Sequence, residues 1–347
     1  MKWFIPIVIL LLIPFHLVVI NNSPLVGWDE AVYMSMGKYL ATAAESGIYE
    51  QIRPTGLPIL TGLLSKADAD HLLFARLSML LVSIGIVVAT MRVATRFTGS
   101  RVAYISGLFL AITPLFFEYS TQVMSSMLSV LLVLLSYLAL EREHYKRCGL
   151  FIGLAILTRF PSGMFLLLII ASLIYNKKTN KLPTVIGWTA LAVSPYFIIN
   201  LILGHGLFTP LIKALSHAGN ANFAQNFLYY LPILIKQSPL LIFLPFGIIF
   251  AIKRKYYLLL ASALLPLLYF SLITNKQPRF ILLALPFIMM LSFFGFQWLL
   301  LKTKKNNLVP RIATLVLVLA LFMSFTQIDF NKDDYQNYQP IISALEN

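Results

Sequence analysis

The sequence predicts an all-α, polytopic membrane protein, and three observations carry that expectation. Hydrophobic residues make up 59% of the 347 positions and charged residues only 12%. The mean hydropathy is +0.82, far from the balance of a soluble domain. The apolar stretches are long and do not alternate, which favours membrane helices over the ten-residue, period-2 strands of a barrel. The basic residues also gather in alternate connecting segments, as positive-inside loops do. A net charge of +14 would suggest nucleic acid in a soluble protein. Here it maps to loops on one face of a membrane, so no nucleic-acid partner is expected. A single cysteine, Cys148, rules out an internal disulfide and a cysteine-built metal site.

The first apolar run, Trp3 to Ile20, is longer than the core of a signal peptide, and no small-x-small cleavage site follows it. It therefore reads as an uncleaved first span. The turn cluster Asn21-Asn22-Ser23-Pro24 leads into an amphipathic segment from Asp29 to Glu45, and Ser46-Gly47 ends it. Val32, Met36, Tyr39, Leu40 and Ala43 share one face of that segment at helical spacing. It and the short piece Leu57–Leu64 are expected to lie in the membrane interface.

Helix 2 is expected over Leu72–Met91, helix 3 over Val102–Phe117 and helix 4 over Gln122–Leu140. The stretch Gly149–Tyr175 is broken by Thr158-Arg159-Phe160-Pro161. Reading it as two short helices returns the chain to the side of Arg147, where Lys177, Lys178 and Lys181 then lie. Helix 7 covers Thr184–Leu203, a polar loop covers Gly204–Tyr229, and helix 8 ends at Lys253-Arg254-Lys255. Helix 9 covers Tyr256–Ile273, helix 10 ends before Lys302, and helix 11 covers Leu308–Phe325.

This makes eleven spans over a transmembrane domain of residues 1–327, with a short outer tail at 328–347. The N-terminus is expected in the cytoplasm and the C-terminus outside a cell membrane. With that topology 17 of the 27 basic residues lie inside, against only Glu141 and Glu143 of the 13 acids. There is no internal repeat to support an inverted-repeat transporter.

Chemistry-bearing residues concentrate on the outer side. Asp29 and Glu30 stand just beyond helix 1. Acids in a first helical turn simply complement the helix dipole, but a carboxylate at a lipid–water boundary can also act as general base toward an acceptor. Arg53, Lys276, Arg279 and Arg159 are interfacial cations. Each could snorkel to headgroups, and together they would also suit phosphate oxygens. Glu118 and Tyr33 are candidates for a secondary acid or an acceptor contact. His205 and His217 lack metal-ligand spacing, and there is no Walker or dinucleotide motif.

Trp28-Asp29-Glu30-Ala31-x-Tyr33 and Arg53-Pro54…Leu57-Pro58 resemble the first outer loop of GT-C type glycosyltransferases. The likeness is to the superfamily of dolichyl-phosphate-mannose–protein mannosyltransferases and lipid A aminoarabinose transferases. Thr113-Pro114-Leu115-Phe116…Tyr119-Ser120, Gly149…Gly153-Leu154…Leu157-Thr158-Arg159 and Arg279-Phe280-Ile281-Leu282…Leu285-Pro286 resemble later parts of it. The resemblance spans residues 1–300.

It implies inverting transfer of a sugar from a polyprenyl-phosphate donor, dolichyl or bacterial, to a protein, lipid or glycan acceptor on the outer face. Asp29 would be the base and Glu30 would position base or acceptor. Arg53, Lys276, Arg279 and Arg159 would hold the donor phosphate. No cofactor is assigned, and a divalent metal is left open. The chain departs from the family at Met124-Ser125-Ser126-Met127, where relatives often carry a second acid. Two rival readings are a polymerase or ligase of lipid-linked oligosaccharides and a non-enzymatic flippase of lipid-linked sugars.

Overall fold

The structure is a computed structural model. It describes residues 26–66, 71–217, 219 and 224–302, with scattered positions between 13 and 20 and between 315 and 326. Spans 1 and 11 of the sequence reading and the tail 328–347 therefore lie wholly or largely outside the described residues.

Fourteen α-helices follow one another in the described residues, and the only β pairing among them is an isolated bridge between Ala224 and Asn275. They are α1 (Trp28–Ala41), α2 (Gly56–Ser65), α3 (His71–Ala94), α4 (Ser100–Ala111), α5 (Pro114–Ser120), α6 (Ser125–Glu141) and α7 (Tyr145–Thr158). Then come α8 (Gly163–Tyr175), α9 (Leu182–Ile202), α10 (Thr209–His217), α11 (Tyr230–Gln237), α12 (Leu244–Lys253), α13 (Tyr257–Leu272) and α14 (Leu285–Lys302).

The helix α3 and the helical stretch Thr179–Ile202, which ends in α9, are each long and apolar enough to cross a bilayer alone. The pairs α4–α5 and α11–α12 reach that length only jointly. The single helix 3 expected over Val102–Phe117 is bent by 66° between α4 and α5. Pro114 opens α5. A proline has no N–H to continue the ladder and disfavours helix in the residue before it. Thr113 is accordingly extended, at φ −65° and ψ 123°.

Helix 8 is likewise two pieces meeting at 112°. The break falls at Ser238, extended at φ −165° and ψ 134°, before Pro239. The Ser238 hydroxyl accepts from the Leu240 N–H (3.3 Å) and satisfies one of the donors the break exposes. The loop expected over Gly204–Tyr229 contains α10. Helix 10 starts as a 3₁₀ turn, Pro278–Leu283, before α14.

The broken stretch Gly149–Tyr175 is a hairpin. Its helices α7 and α8 meet at a 3₁₀ turn over Phe160–Ser162. Its open end is closed by the Lys178 Nζ–Glu143 Oε1 ion pair (2.6 Å) and by Lys181 over the Tyr145 ring at 5.8 Å. Arg96–Glu141 (3.6 Å) joins the ends of α3 and α6 at the same level. Tyr256 at the start of α13 packs edge-on to Phe97 at 4.9 Å. The basic turns are thus gathered at one end of the bundle, and the turns that carry Asp29 and Arg159 lie at the other. Between them, fully buried Met79, Ile86, Met127, Leu134, Ile152 and Phe287 form part of the core.

Candidate active site

Helix α1 begins with Asp29 and Glu30 in its first turn, where carboxylates favour the helix dipole. Adjacent helical residues point in different directions, and these two acids diverge accordingly. Glu30, 2% exposed, meets Arg76 of α3, 5% exposed, in a two-pronged pair. Arg76 Nε and Nη2 donate to Oε1 and Oε2, both at 2.9 Å. Oε1 also accepts the Val123 backbone N–H (3.1 Å), and Oε2 faces the Gly27 N–H at 3.4 Å. Both oxygens of Glu30 are thereby committed. It ties the N-terminus of α1 to α3 and to the turn before α6. Removing either partner would strand a buried charge, at about 3–5 kcal/mol.

Asp29, 6% exposed, points about 100° away around the helix. Its Oδ1 takes Arg53 Nη1 at 2.8 Å, and its Oδ2 is paired with Arg279 Nη1. Arg53 lies in the turn before α2 and is also paired with Glu50. Burial opposes the Arg53 charge, but Tyr33 and Glu50 outweigh it and its pKa is raised.

Tyr33, one turn beyond Asp29 on the same face, lies under the Arg53 guanidinium at 4.9 Å from the ring centre. Its hydroxyl donates to Ser125 Oγ (2.8 Å) at the start of α6. The neighbouring Ser126 Oγ accepts from Arg159 Nη1 (2.5 Å). The Arg159 guanidinium in turn sits over Phe280 at 5.1 Å and Phe270 at 5.9 Å. Phe280 follows Arg279, which returns to Asp29. Asp29, Arg53, Tyr33, Ser125, Ser126, Arg159, Phe280 and Arg279 form a closed ring of contacts. The ring draws on α1, α6, the loops before α2 and after α7, and the 3₁₀ turn before α14.

Arg159 is the anomaly in this ring. It lies in the extended turn after α7, at φ −156° and ψ 112°. Its Nε is buried and has no hydrogen-bond partner. Burial and the nearby Arg53 charge push its pKa down, against the partial charges of Tyr33, Tyr230 and Tyr269. Among the described residues no carboxylate is paired with it.

An apolar groove of about 580 Å³ runs between α11 and α13, lined by Leu231, Leu234, Leu264 and Leu268 and reaching Ser271. Tyr230, on its wall, donates its hydroxyl to the Gln277 carbonyl (3.3 Å), two residues before Arg279.

A family model for dolichyl-phosphate-mannose–protein mannosyltransferases matches residues 57–202, and one for the Alg9-like mannosyltransferase family matches residues 219–343. Each covers less than half of the chain. ArnT from Cupriavidus metallidurans bound to undecaprenyl phosphate superposes with a TM-score of 0.68 at 17% identity, over 84% of this chain and 59% of that one. The Archaeoglobus fulgidus oligosaccharyltransferase tethered to an acceptor peptide superposes with a TM-score of 0.65 at 13% identity, over 97% of this chain and 56% of that one.

The fold is that of the GT-C glycosyltransferases. The archaeal oligosaccharyltransferase AglB from Archaeoglobus fulgidus in complex with an inhibitory peptide and a dolichol-phosphate gives a TM-score of 0.61 at 13% identity, over 94% and 55% of the two chains. The chain spans less than two thirds of the length of each of these structures. No curated protein matches it.

Of the sequence-predicted residues, this GT-C fold brings together Asp29, Glu30, Tyr33, Arg53, Arg159 and Arg279. Lys276 is buried elsewhere in the same loop region. Its Nζ donates to the Gln225 carbonyl (2.9 Å) and the Ile273 carbonyl (2.5 Å), and so holds the loop beside the Ala224–Asn275 bridge. Glu118 is half-buried on α5.

Sequence reasoning missed Arg76, although an arginine inside an apolar helix is itself a signal. It also missed Ser125 and Ser126, which complete the ring. Asp29 lies between two guanidinium groups, and no group of three or more His, Cys, Asp or Glu among the described residues could hold an ion.

Proposed function

We propose that this protein is a membrane glycosyltransferase that moves a sugar from a polyprenyl-phosphate donor to an acceptor on the outer face. The observation that carries this reading is Arg159: a half-buried guanidinium whose Nε is buried without a hydrogen-bond partner and which has no acid partner among the described residues, beside two arginines that share Asp29. Such a cation costs free energy unless an anion arrives, and a guanidinium suits phosphate oxygens. The groove between α11 and α13 has the apolar lining that a polyprenyl chain needs. The likeness to structures holding undecaprenyl phosphate and dolichol-phosphate supports the same donor class.

The donor phosphate binds at Arg159 and competes with Asp29 for Arg53 and Arg279. As these cations turn to the phosphate, Asp29 becomes free to accept the proton of an acceptor hydroxyl or amine. The acceptor attacks the anomeric carbon, the bond from that carbon to the phosphate oxygen breaks, and the configuration inverts. Negative charge grows on the leaving phosphate, where fixed cations away from water stabilise it most. The apolar surroundings keep water from the activated sugar. Glu30 acts as a positioning residue through Arg76. The eleven-span topology, with the site outside, belongs to the same reading.

Transfer by purified protein from a panel of radiolabelled polyprenyl-phosphate sugars into native membrane extract tests the proposal. Product formed by the wild type and lost in Asp29→Asn supports it. An oligosaccharide ligase would instead use only lipid-linked oligosaccharides. Lipid movement in liposomes without any product would identify a flippase.

A further inference from the structure

At the end of the bundle opposite Asp29 lies a second cavity of about 700 Å³, between α3, α6, α8 and α13. Four helices separate the charged mouth of this cavity from the Asp29 ring, and in its depth the cavity reaches Ala261, which also lines the groove between α11 and α13. Arg76 and Arg96 bound a length of α3 and its following turn worth about 30 Å at 1.5 Å per residue. Helix α6 runs from Ser126 at the first site to Glu141 at the second, α7 from Arg159 back to Tyr145, and α13 from Phe270 back to Tyr257.

The walls of this cavity are apolar in depth, at Tyr137, Leu168, Leu258 and Ala261, and charged at the mouth. Two of the basic residues at the mouth already have acids within the bundle, Arg96 with Glu141 and Lys178 with Glu143. Arg254 and Lys255, on the turn between α12 and α13, are exposed, and neither is in an ion pair among the described residues. Lys255 holds that turn in the left-handed region at φ +59°. Tyr175 and Tyr257 meet edge-to-face at 5.8 Å beside the mouth, and tyrosine favours the level of lipid headgroups.

We propose that this cavity binds one anionic phospholipid, its phosphate at Arg254 and Lys255 and an acyl chain against Leu168 and Leu258. The pattern of two neutralised cations, two unneutralised ones and an apolar interior fits a phosphate ester carrying a hydrocarbon tail. A soluble phosphate would use the charges alone, and a neutral lipid the interior alone. Arg254 and Lys255 stand apart from the Asp29 ring and from the groove between α11 and α13, so the test does not depend on glycosyl transfer.

The experiment is binding of short-chain phosphatidylglycerol to the full-length protein in neutral detergent micelles, by native mass spectrometry. Phosphatidylcholine of equal chain length and glycerol phosphate serve as the other two ligands. Expected is one saturable phosphatidylglycerol site, weakened about thirtyfold in the Arg254→Gln/Lys255→Gln variant, since each cation near anionic lipid contributes on the order of a factor of five.

Arg142→Gln, exposed at the same end but outside the cavity, should bind as the wild type does and reports on diffuse surface charge. Circular dichroism and unchanged melting of the double variant confirm that it is folded. Equal binding of phosphatidylcholine, saturation by glycerol phosphate, undiminished binding in the double variant, or an equal loss in Arg142→Gln would each overturn the proposal.

Discussion

Asp29 is restrained by two guanidinium groups, so its reactivity depends on what draws one of them away. The account assigns that task to an anion, and Arg159 is the residue that marks where the anion sits. Arg159→Gln keeps the hydrogen bond to Ser126 within reach but removes the charge. Turnover in a donor-transfer assay should fall by about 10²–10³-fold, the range for losing one fixed group that stabilises developing negative charge. Turnover within a few-fold of wild type would remove Arg159 from the phosphate site.

The sequence made Asp29, Arg53 and Arg279 visible because each stands in a polar segment between greasy ones. Arg76 was passed over although its place inside the apolar α3 was itself a signal. The separate fates of Glu30 and Asp29 were not legible at all. Two adjacent acids look alike in a sequence, and only the 100° turn between them sends one to a buried structural pair and the other to the ring. Lys276 looked like Arg279 for the same reason, yet its ammonium is consumed by two carbonyls.

At the scale of elements, the site depends on how closely α1 lies on α2. Gly37 and Gly62 face each other across that contact. A Cβ on Gly37 would meet Thr61 Oγ1, come within 2.7 Å of the Gly62 nitrogen and 3.0 Å of the Pro58 carbonyl. Backbone atoms cannot give way cheaply, so α2 would be displaced, and Arg53 in the turn before α2 with it. Gly37→Ala is therefore expected to lower transfer by about 10²-fold, the cost of a shift near 1 Å at a reacting centre. The protein should remain folded, as judged by size-exclusion chromatography and circular dichroism.

The sequence located α1 and α2 to within a few residues, α1 by its helical spacing of apolar residues and α2 as a short apolar piece, because both are local properties. Hydropathy failed at α4–α5 and α11–α12, where apolar runs continue through a bend. Pro114 and Pro239 were the available signals there, outweighed by the hydrophobicity on either side. The hairpin α7–α8 was legible because charge, not hydropathy, decided it. Only a return of the chain puts Lys178 beside Glu143.

Across the whole molecule, the fold separates an arginine-rich ring around one carboxylate from a basic mouth about 30 Å away along α3. The proposed positive-inside topology would turn the first outward and the second inward. A maleimide reagent that does not cross membranes should label Glu45→Cys from outside intact cells and Lys255→Cys only after permeabilisation. Cys148 is buried and can be replaced by serine as background. Labelling of both positions from one side would contradict the two-ended arrangement.

The central claim is that Asp29 performs proton removal in transfer from a lipid-phosphate sugar. The most direct measurement is the single-turnover rate of Asp29→Asn with the donor the wild type uses, alongside donor binding by the same variant. The amide fills the same space but cannot take the proton. The account predicts a rate at least about 10²-fold below wild type, the lower range for a lost general base, with donor binding retained or strengthened as Arg53 and Arg279 are released. A wild-type rate in Asp29→Asn would contradict it.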